Sequence, residues 1–558
     1  MKRTLRLIVL LLALCVSVSL LSSCWAFLLL PNSDETRKTE TSATVAVTEA
    51  DPLPEDPARP DLSYTLTDRD FEILKDALDR METLILERRI DDEEEILQSI
   101  EAVETQYYHI ATQSELAYIY YCMNVASEER SEAYLTSSAM LSDAYELYLS
   151  VCRRIDQSDA PYREAFFADW SAADLDEMRR FSPEQTALSQ ANDELLVRFR
   201  ALSEENFSGG AASLYYEMMC NNNQIAMLNG CHNYPEYAYE KVYHRDYSYG
   251  SSKQLHNYVK TYLIPVCTDV YNHFQTSYRS LNNQEQKKLL ALINGEYSEV
   301  KNEIKGYLAT YPPEVAADMW SMFESGNLFY TNAENANAGA FTAYLYEYER
   351  PVCYFGPDYH SGYTVVHEMG HYYAALLSNG EDVQMDIAET QSQANEWLFT
   401  EYLVRTKSKN FADAVFYYQL YSSLASIVLS SIVDEFEQNV YFYNPPKTAD
   451  DFDSLMNGIC DTYGGREWLM TLFADPLTYW RRVALENPCY YVSYAYSMLV
   501  SIDFYCLARK APSRAQEIYL ELAAGDMGGR TYPEWLRSVG LATPFDKTLY
   551  ESIAALCD

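Results

Sequence analysis

Basic residues are scarce in this sequence: 42 Lys and Arg stand against 82 Asp and Glu in 558 residues, a formal net charge of −40. A phosphate backbone is bound by clustered cations, so nucleic acid is excluded as a partner. The acidity supplies solubility and repulsion between molecules instead. The twelve cysteines include no C-x-x-C pair and no small-domain spacing. Neither a zinc ribbon nor a disulfide scaffold is indicated, and buried thiols are the default reading. No fixed-period repeat runs along the chain, which argues against a solenoid. Histidine is rarer still, with eight in all.

What is present is ample apolar material. With 48% hydrophobic and 22% charged residues, the chain can bury a large core. Lys2, Arg3 and Arg6 precede an uncharged run over residues 7–30, so the N-terminus is expected to engage a membrane. "LSSC" at 21–24 resembles the lipobox of bacterial lipoproteins, which makes residues 1–24 a signal segment and Cys24 the site of lipidation. The alternative is an uncleaved transmembrane anchor, since the run is long enough to span a bilayer. Either way the bulk of the protein is expected outside the cytoplasm. Residues 25–62 become rich in Thr, Pro, Asp and Glu from 31 onward, and read as a flexible acidic tether.

From Thr67 the apolar period turns helical, with Phe71, Leu74, Leu78, Met81 and Ile85 on one stripe. Similar patterns run through 92–155 and 183–203, with breaks at 159–162 and 207–212. Residues 63–210 are therefore read as an N-terminal helical region. "GAFTAYLYEYERPVCYF" at 339–355 breaks the rule: rich in Thr, Tyr, Val and Phe with Pro351 in its middle, it reads as a short strand pair at a sheet edge. The helical period then returns. The expected fold class is mainly α, with one small β-sheet.

Beside that strand pair stands "TVVHEMGHYY", 364–373. His367 and His371 are one helical turn apart, so both imidazoles can reach a single metal ion. Glu368 can approach a metal-activated water without ligating the metal itself. Gly370 leaves room for close packing, at some cost in helix propensity. A third ligand is needed. The metzincin continuation would place a histidine six residues beyond His371, where Leu377 stands, so that class is excluded. "DIAETQSQANEWLF", 386–399, offers Glu389 and Glu396 two turns apart on one helix face. One is expected to ligate, and the other to orient a histidine.

Four segments, "GAFTAYLYEYERP", "HEMGH", "DIAETQSQANE" and "YYVSYAYS", occur in an order that resembles the thimet oligopeptidase and oligoendopeptidase F family of zinc metallopeptidases. The resemblance covers roughly residues 330–510 with specific motifs, and it implies a catalytic region over 211–558. It implies His367, His371 and Glu389 as ligands of one zinc ion, Glu368 as the catalytic base and Glu396 as the family's later glutamate. It also implies Tyr491 and Tyr494 as contacts to substrate and tetrahedral intermediate, a role that suits a neutral phenol donor. Gly339, Ala340 and Phe341 are expected to hold substrate along a strand edge by main-chain hydrogen bonds. His360 is a further candidate for substrate contact, set against a reading as a surface-loop histidine.

The expected protein is a two-lobed helical metallopeptidase enclosing a deep channel, a zinc endopeptidase of short peptides. Its expected partners are peptides and the membrane, and it is expected to act as a monomer. Two features depart from the family: no histidine precedes the tyrosines in "WRRVALENPC", and the connection from His371 to Glu389 is short. The rival is a catalytically inactive peptide-binding lipoprotein on the same scaffold, whose signature would be a broken ligand set. A thermolysin-like architecture is disfavoured by the helical pattern and the C-terminal tyrosine run.

Overall fold

The computed structural model describes residues 62–87, 93–168, 170–202, 207–324, 326–381, 383–442 and 445–557. The expected signal segment, Cys24 and nearly all of the tether lie outside the described residues.

Helix α1 (Asp68–Glu87) buries the expected stripe: Leu74, Leu78, Met81 and Ile85 are inside, joined by Leu84, while Phe71 lies at the edge of the same core. Fully burying such side chains contributes roughly 1.5–3 kcal/mol each. The stripe packs on α2 (Glu93–Cys122) and α3 (Glu128–Asp156). Ser127 caps the start of α3 by accepting from the Arg130 backbone N–H. This layer has an apolar core of its own, drawn from Leu66 to Met178.

The largest core instead joins α4 (Pro183–Arg200), α5 (Phe207–Leu228) and α6 (Cys267–Ser280) to helices from the second half of the chain. Those are α8 (Met385–Thr406), α9 (Lys409–Val440) and α10 (Val492–Lys510), which follow α7 (Gly362–Ser378) in the chain. Helix α7 sits in a second core, to which both α8 and α10 contribute their other faces. Among the described residues only α9 is long and apolar enough to cross a membrane, but 78% of its most apolar stretch is buried, as in a central core helix. The ten described cysteines are free thiols, and seven of them are buried.

The small sheet has three strands, one more than expected: β1 (Leu328–Tyr330), β2 (Ala340–Leu345) and β3 (Arg350–Phe355) in the order β1-β3-β2. Strand β3 pairs antiparallel with β2 and parallel with β1. Pro351 therefore lies in the central strand, not an edge. It is tolerated because β1 pairs only with residues 353–355, so at Pro351 the strand has β2 alone as a neighbour. One face of β2, with Phe341, Ala343 and Leu345, packs on Leu116, Tyr118 and Ile119 of α2. Helix α7 packs on β2 and β3, so the sheet holds α7 in place.

Candidate metal centre

Helix α7 starts at Ser361, whose hydroxyl accepts from the Thr364 N–H, and stops where Asn379 and Gly380 both turn left-handed, at φ 54° and 74°. Between these ends it crosses α8 at Gly370. A Cβ there would meet the Gln391 carbonyl oxygen and the Ser392 Cα at 2.7 Å each. This close approach of two backbones brings residues 367 and 371 to residues 389 and 396.

Helix α8 is buried along most of its length although much of its surface is polar. Buried polar groups are stable when paired, and the amides of α8 and Thr390 are. Asn395 donates to the Val366 carbonyl (2.7 Å) and accepts from the Tyr307 hydroxyl (2.6 Å). Gln391 donates to the Leu522 carbonyl at 2.9 Å, and Gln393 accepts from Ser497 at 2.8 Å. Thr390 accepts from Tyr532 at 2.7 Å. The helix carrying both glutamates is thus pinned on several sides.

His367, His371 and Glu389 each present a ligand atom, all within 4.8 Å of one another. Oε2 of Glu389 lies 3.7 Å from Nε2 of His367 and 3.8 Å from Nε2 of His371. Donors of one tetrahedral zinc site lie about 3.3 Å apart, given bond lengths near 2.0–2.1 Å. A contraction of a few tenths of an ångström would bring Glu389 to that spacing from either imidazole, and two imidazoles with a carboxylate are a donor set zinc accepts.

Glu396 lies 2.7 Å from Nδ1 of His367 and accepts from Gln419 at 2.9 Å. A proton on Nδ1 leaves the Nε2 lone pair facing the other two groups. Burial pushes the Glu389 carboxyl up to about 7, with His367 and the Tyr490 hydroxyl opposing and Glu368 and Glu396 adding to the rise. Burial, then His367, push His371 well down, which keeps it in the neutral form that ligates metals.

Glu368 is buried and accepts from the Thr342 hydroxyl of β2 at 2.9 Å. Two cavities flank the histidines. One of about 130 Å³ is bordered by His371 and by Thr342, Ala343 and Tyr344 of β2. The other, of about 350 Å³, is bordered by His367, Glu396, Gln419 and Tyr494.

The other expected site residues fall in different places. Tyr494 borders the larger cavity, with Tyr491 beside it at a ring separation of 5.8 Å and packed edge-on against Tyr479. Gly339, Ala340 and Phe341 are buried and border neither cavity; Phe341 stacks between Tyr118 and Tyr354. The stretch of strand that meets the cavity is the next three residues. His360 is not on a surface loop: it is buried, 3.0 Å from a Glu296 oxygen and edge-on to Tyr330, and borders neither cavity. Sequence reasoning missed Thr342, Gln419 and Tyr490, whose hydroxyl donates to Oε1 of Glu389. No spacing rule singles out one of fifty tyrosines.

The sequence itself matches no family model and no curated protein. Solved structures do resemble this one. PZ peptidase A, solved with an inhibitor, superposes with a TM-score of 0.69 at 15% identity over 89% of this chain and 98% of its own. A Bacillus anthracis str. Ames protein provisionally named oligoendopeptidase F gives 0.67 at 16% identity over 88% and 96%. Oligoendopeptidase-F from Enterococcus faecium gives 0.56 at 15% identity over 88% and 96%. At such identities the likeness is one of architecture, and this mainly helical chain with its small sheet has the fold of these peptidase structures.

Proposed function

We propose that this protein is a zinc-dependent oligoendopeptidase that hydrolyses internal bonds of short, unstructured peptides outside the cytoplasm. The observation that carries the reading is the convergence of His367, His371 and Glu389, with Glu368 alongside, in a fold shared with peptidases. A complete donor set disfavours an inactive peptide carrier. The two cavities are read as parts of one channel that admits an extended chain and excludes folded proteins.

In this reading His367, His371 and Glu389 hold the zinc, and Glu396 orients His367 through Nδ1. A zinc ion supplies Lewis-acid polarisation of the scissile carbonyl. Glu368 takes a proton from the attacking water and passes it to the leaving amine. Tyr494, with Tyr491 behind it, donates to the developing oxyanion. Strand β2 aligns the peptide along its edge. Residues 211–558 form the catalytic region, residues 63–210 a helical region before it, and lipidated Cys24 anchors the whole as a monomer.

The test is metal analysis of the purified protein together with mass spectrometry of digested peptide mixtures. Expected are one zinc per chain and cleavage at internal bonds. Glu368→Gln should keep the zinc and lose at least about a hundredfold in turnover. A wild-type protein that binds no zinc, or a Gln variant that cleaves at the normal rate, overturns the reading. Loss of lipid labelling in Cys24→Ala checks the anchor separately.

A further inference from the structure

The two carboxylate oxygens of Glu389 have different partners. Oε2 faces the two imidazoles at 3.7 and 3.8 Å, whereas Oε1 accepts from the Tyr490 hydroxyl. A carboxylate can bind a metal through one oxygen or both, and a hydrogen bond to the second oxygen favours binding through the first. Here it is engaged by a buried phenol.

That phenol is held by an unusual turn. Cys489, just before it, has a left-handed backbone at φ 62°, strain that a non-glycine residue keeps only where its surroundings enforce it. The enforcing contacts are buried or partly buried. Glu437 accepts from the Cys489 N–H at 2.7 Å. The Tyr243 hydroxyl donates to the Pro488 carbonyl at 2.7 Å. The Arg245 guanidinium donates to the carbonyls of Cys489 (3.0 Å) and Tyr490 (3.1 Å) and to the Ser493 hydroxyl (2.8 Å). The same guanidinium lies between the Tyr239 and Tyr243 rings, 4.3 and 4.5 Å from their centroids. It also lies 3.6 Å from Asp386, one turn before Glu389 on α8. One buried cation thus ties the turn that carries the phenol to the helix that carries the carboxylate.

We propose that Tyr490 is a positioning residue for the metal: its phenol occupies Oε1 of Glu389 so that Oε2 alone is presented, and Arg245 holds the two in register. This rests on the zinc reading above and adds to it the residues that set the coordination number. The phenol takes no part in bond making in this role, which separates it from the oxyanion role assigned to Tyr494.

The experiment measures zinc, not turnover. In Tyr490→Phe, chelator competition should show zinc binding weakened by roughly 10–100-fold, the usual effect of losing a partner of a metal ligand. The metal-free variant should stay folded, its unfolding temperature lowered only by the loss of one buried hydrogen bond. The visible absorption of the cobalt-loaded variant should weaken as the second oxygen enters the coordination sphere, a change that a merely structural role would not produce. Tyr494→Phe should leave zinc affinity unchanged. Arg245→Lys keeps the charge without the planar fork, and should weaken zinc in the same direction. Wild-type affinity and an unaltered cobalt spectrum in Tyr490→Phe overturn the inference alone. A wild-type protein that takes up no zinc overturns the proposed function and this inference with it.

Discussion

The hydroxyl of Thr342 donates to Oε2 of Glu368 across 2.9 Å, so the strand that borders one cavity also steadies the carboxylate beside the histidine pair. A hydrogen bond to a charged group contributes about 1.5–3 kcal/mol. Thr342→Val keeps the shape and the strand propensity but removes the donor. We expect kcat to fall by roughly 10–100-fold, with zinc content intact and KM little changed, and Thr342→Ser to recover most of the loss. Steady-state kinetics of the three proteins checks this. A Val variant with wild-type kcat would detach Thr342 from the chemistry.

Two helical glycines should respond in opposite ways to alanine. At Gly370 the added methyl meets backbone of α8 at 2.7 Å, and backbone cannot rotate aside. Overpacking costs about 1–3 kcal/mol, more than the gain of about 1 kcal/mol in helix propensity. Gly370→Ala should therefore lower the melting temperature, and by forcing α7 off α8 it should also weaken zinc binding. Gly458, in the helix Ala449–Thr462, has nothing within 4 Å of its would-be Cβ. Gly458→Ala should stabilise by about 0.5–1 kcal/mol. Thermal unfolding of both variants decides, and equal shifts of one sign would contradict the account.

The ligand candidates are legible in the sequence because each pair is local: residues 367 and 371 share one helix face, and 389 and 396 share another. What joins the pairs is tertiary, and only Gly370 hints at it. Tyr490 is illegible for a different reason: its reach to Glu389 depends on a left-handed cysteine held by an arginine from a distant segment. Strand β1 is three residues long and borrows its pairing from β3, so no alternation marks it. Composition marks the strand without saying which of its residues meet a cavity, and Thr342, Ala343 and Tyr344 do. Tyr118 and Tyr354 claim Phe341 for the interior. His360 follows Pro357 and Asp358 in a loop, and its burial depends on tertiary neighbours such as Glu296 and Tyr330 that its local sequence does not reveal.

Glu396 acts at one remove from the metal. Its oxygen lies 2.7 Å from Nδ1 of His367, and Gln419 holds its other oxygen at 2.9 Å. Glu396→Ala should weaken zinc binding by roughly 10–100-fold, and Glu396→Gln, which keeps a neutral acceptor, should fall between it and the wild type. Chelator competition ranks the three. An Ala variant as tight as the wild type would mean that the imidazole needs no partner.

Glu437 on α9 links stability to pH at a point away from the ligands. It is fully buried, and its Oε1 accepts from the Tyr479 hydroxyl at 2.5 Å and the Cys489 N–H at 2.7 Å. Burial pushes its carboxyl up from 4.5 to about 8. Tyr479 and the Cys489 N–H oppose that rise, Asp434 adds to it, and Arg245 opposes it. Because the folded value lies above the unfolded one, the folded state holds the proton more tightly. The associated stability is fully present below pH 4.5 and is lost as the pH rises through about 8. At 1.36 kcal/mol per unit the loss is on the order of 5 kcal/mol for a group this deeply buried. Glu437→Gln keeps the oxygen acceptor and never ionises, so its stability relative to the wild type should climb across that window. Denaturant unfolding of both full-length proteins at about pH 5, 7 and 9 measures the difference. A difference that stays constant would show that the carboxyl titrates at its ordinary value, and that the turn beneath Tyr490 is held by an ionised glutamate instead of a protonated one.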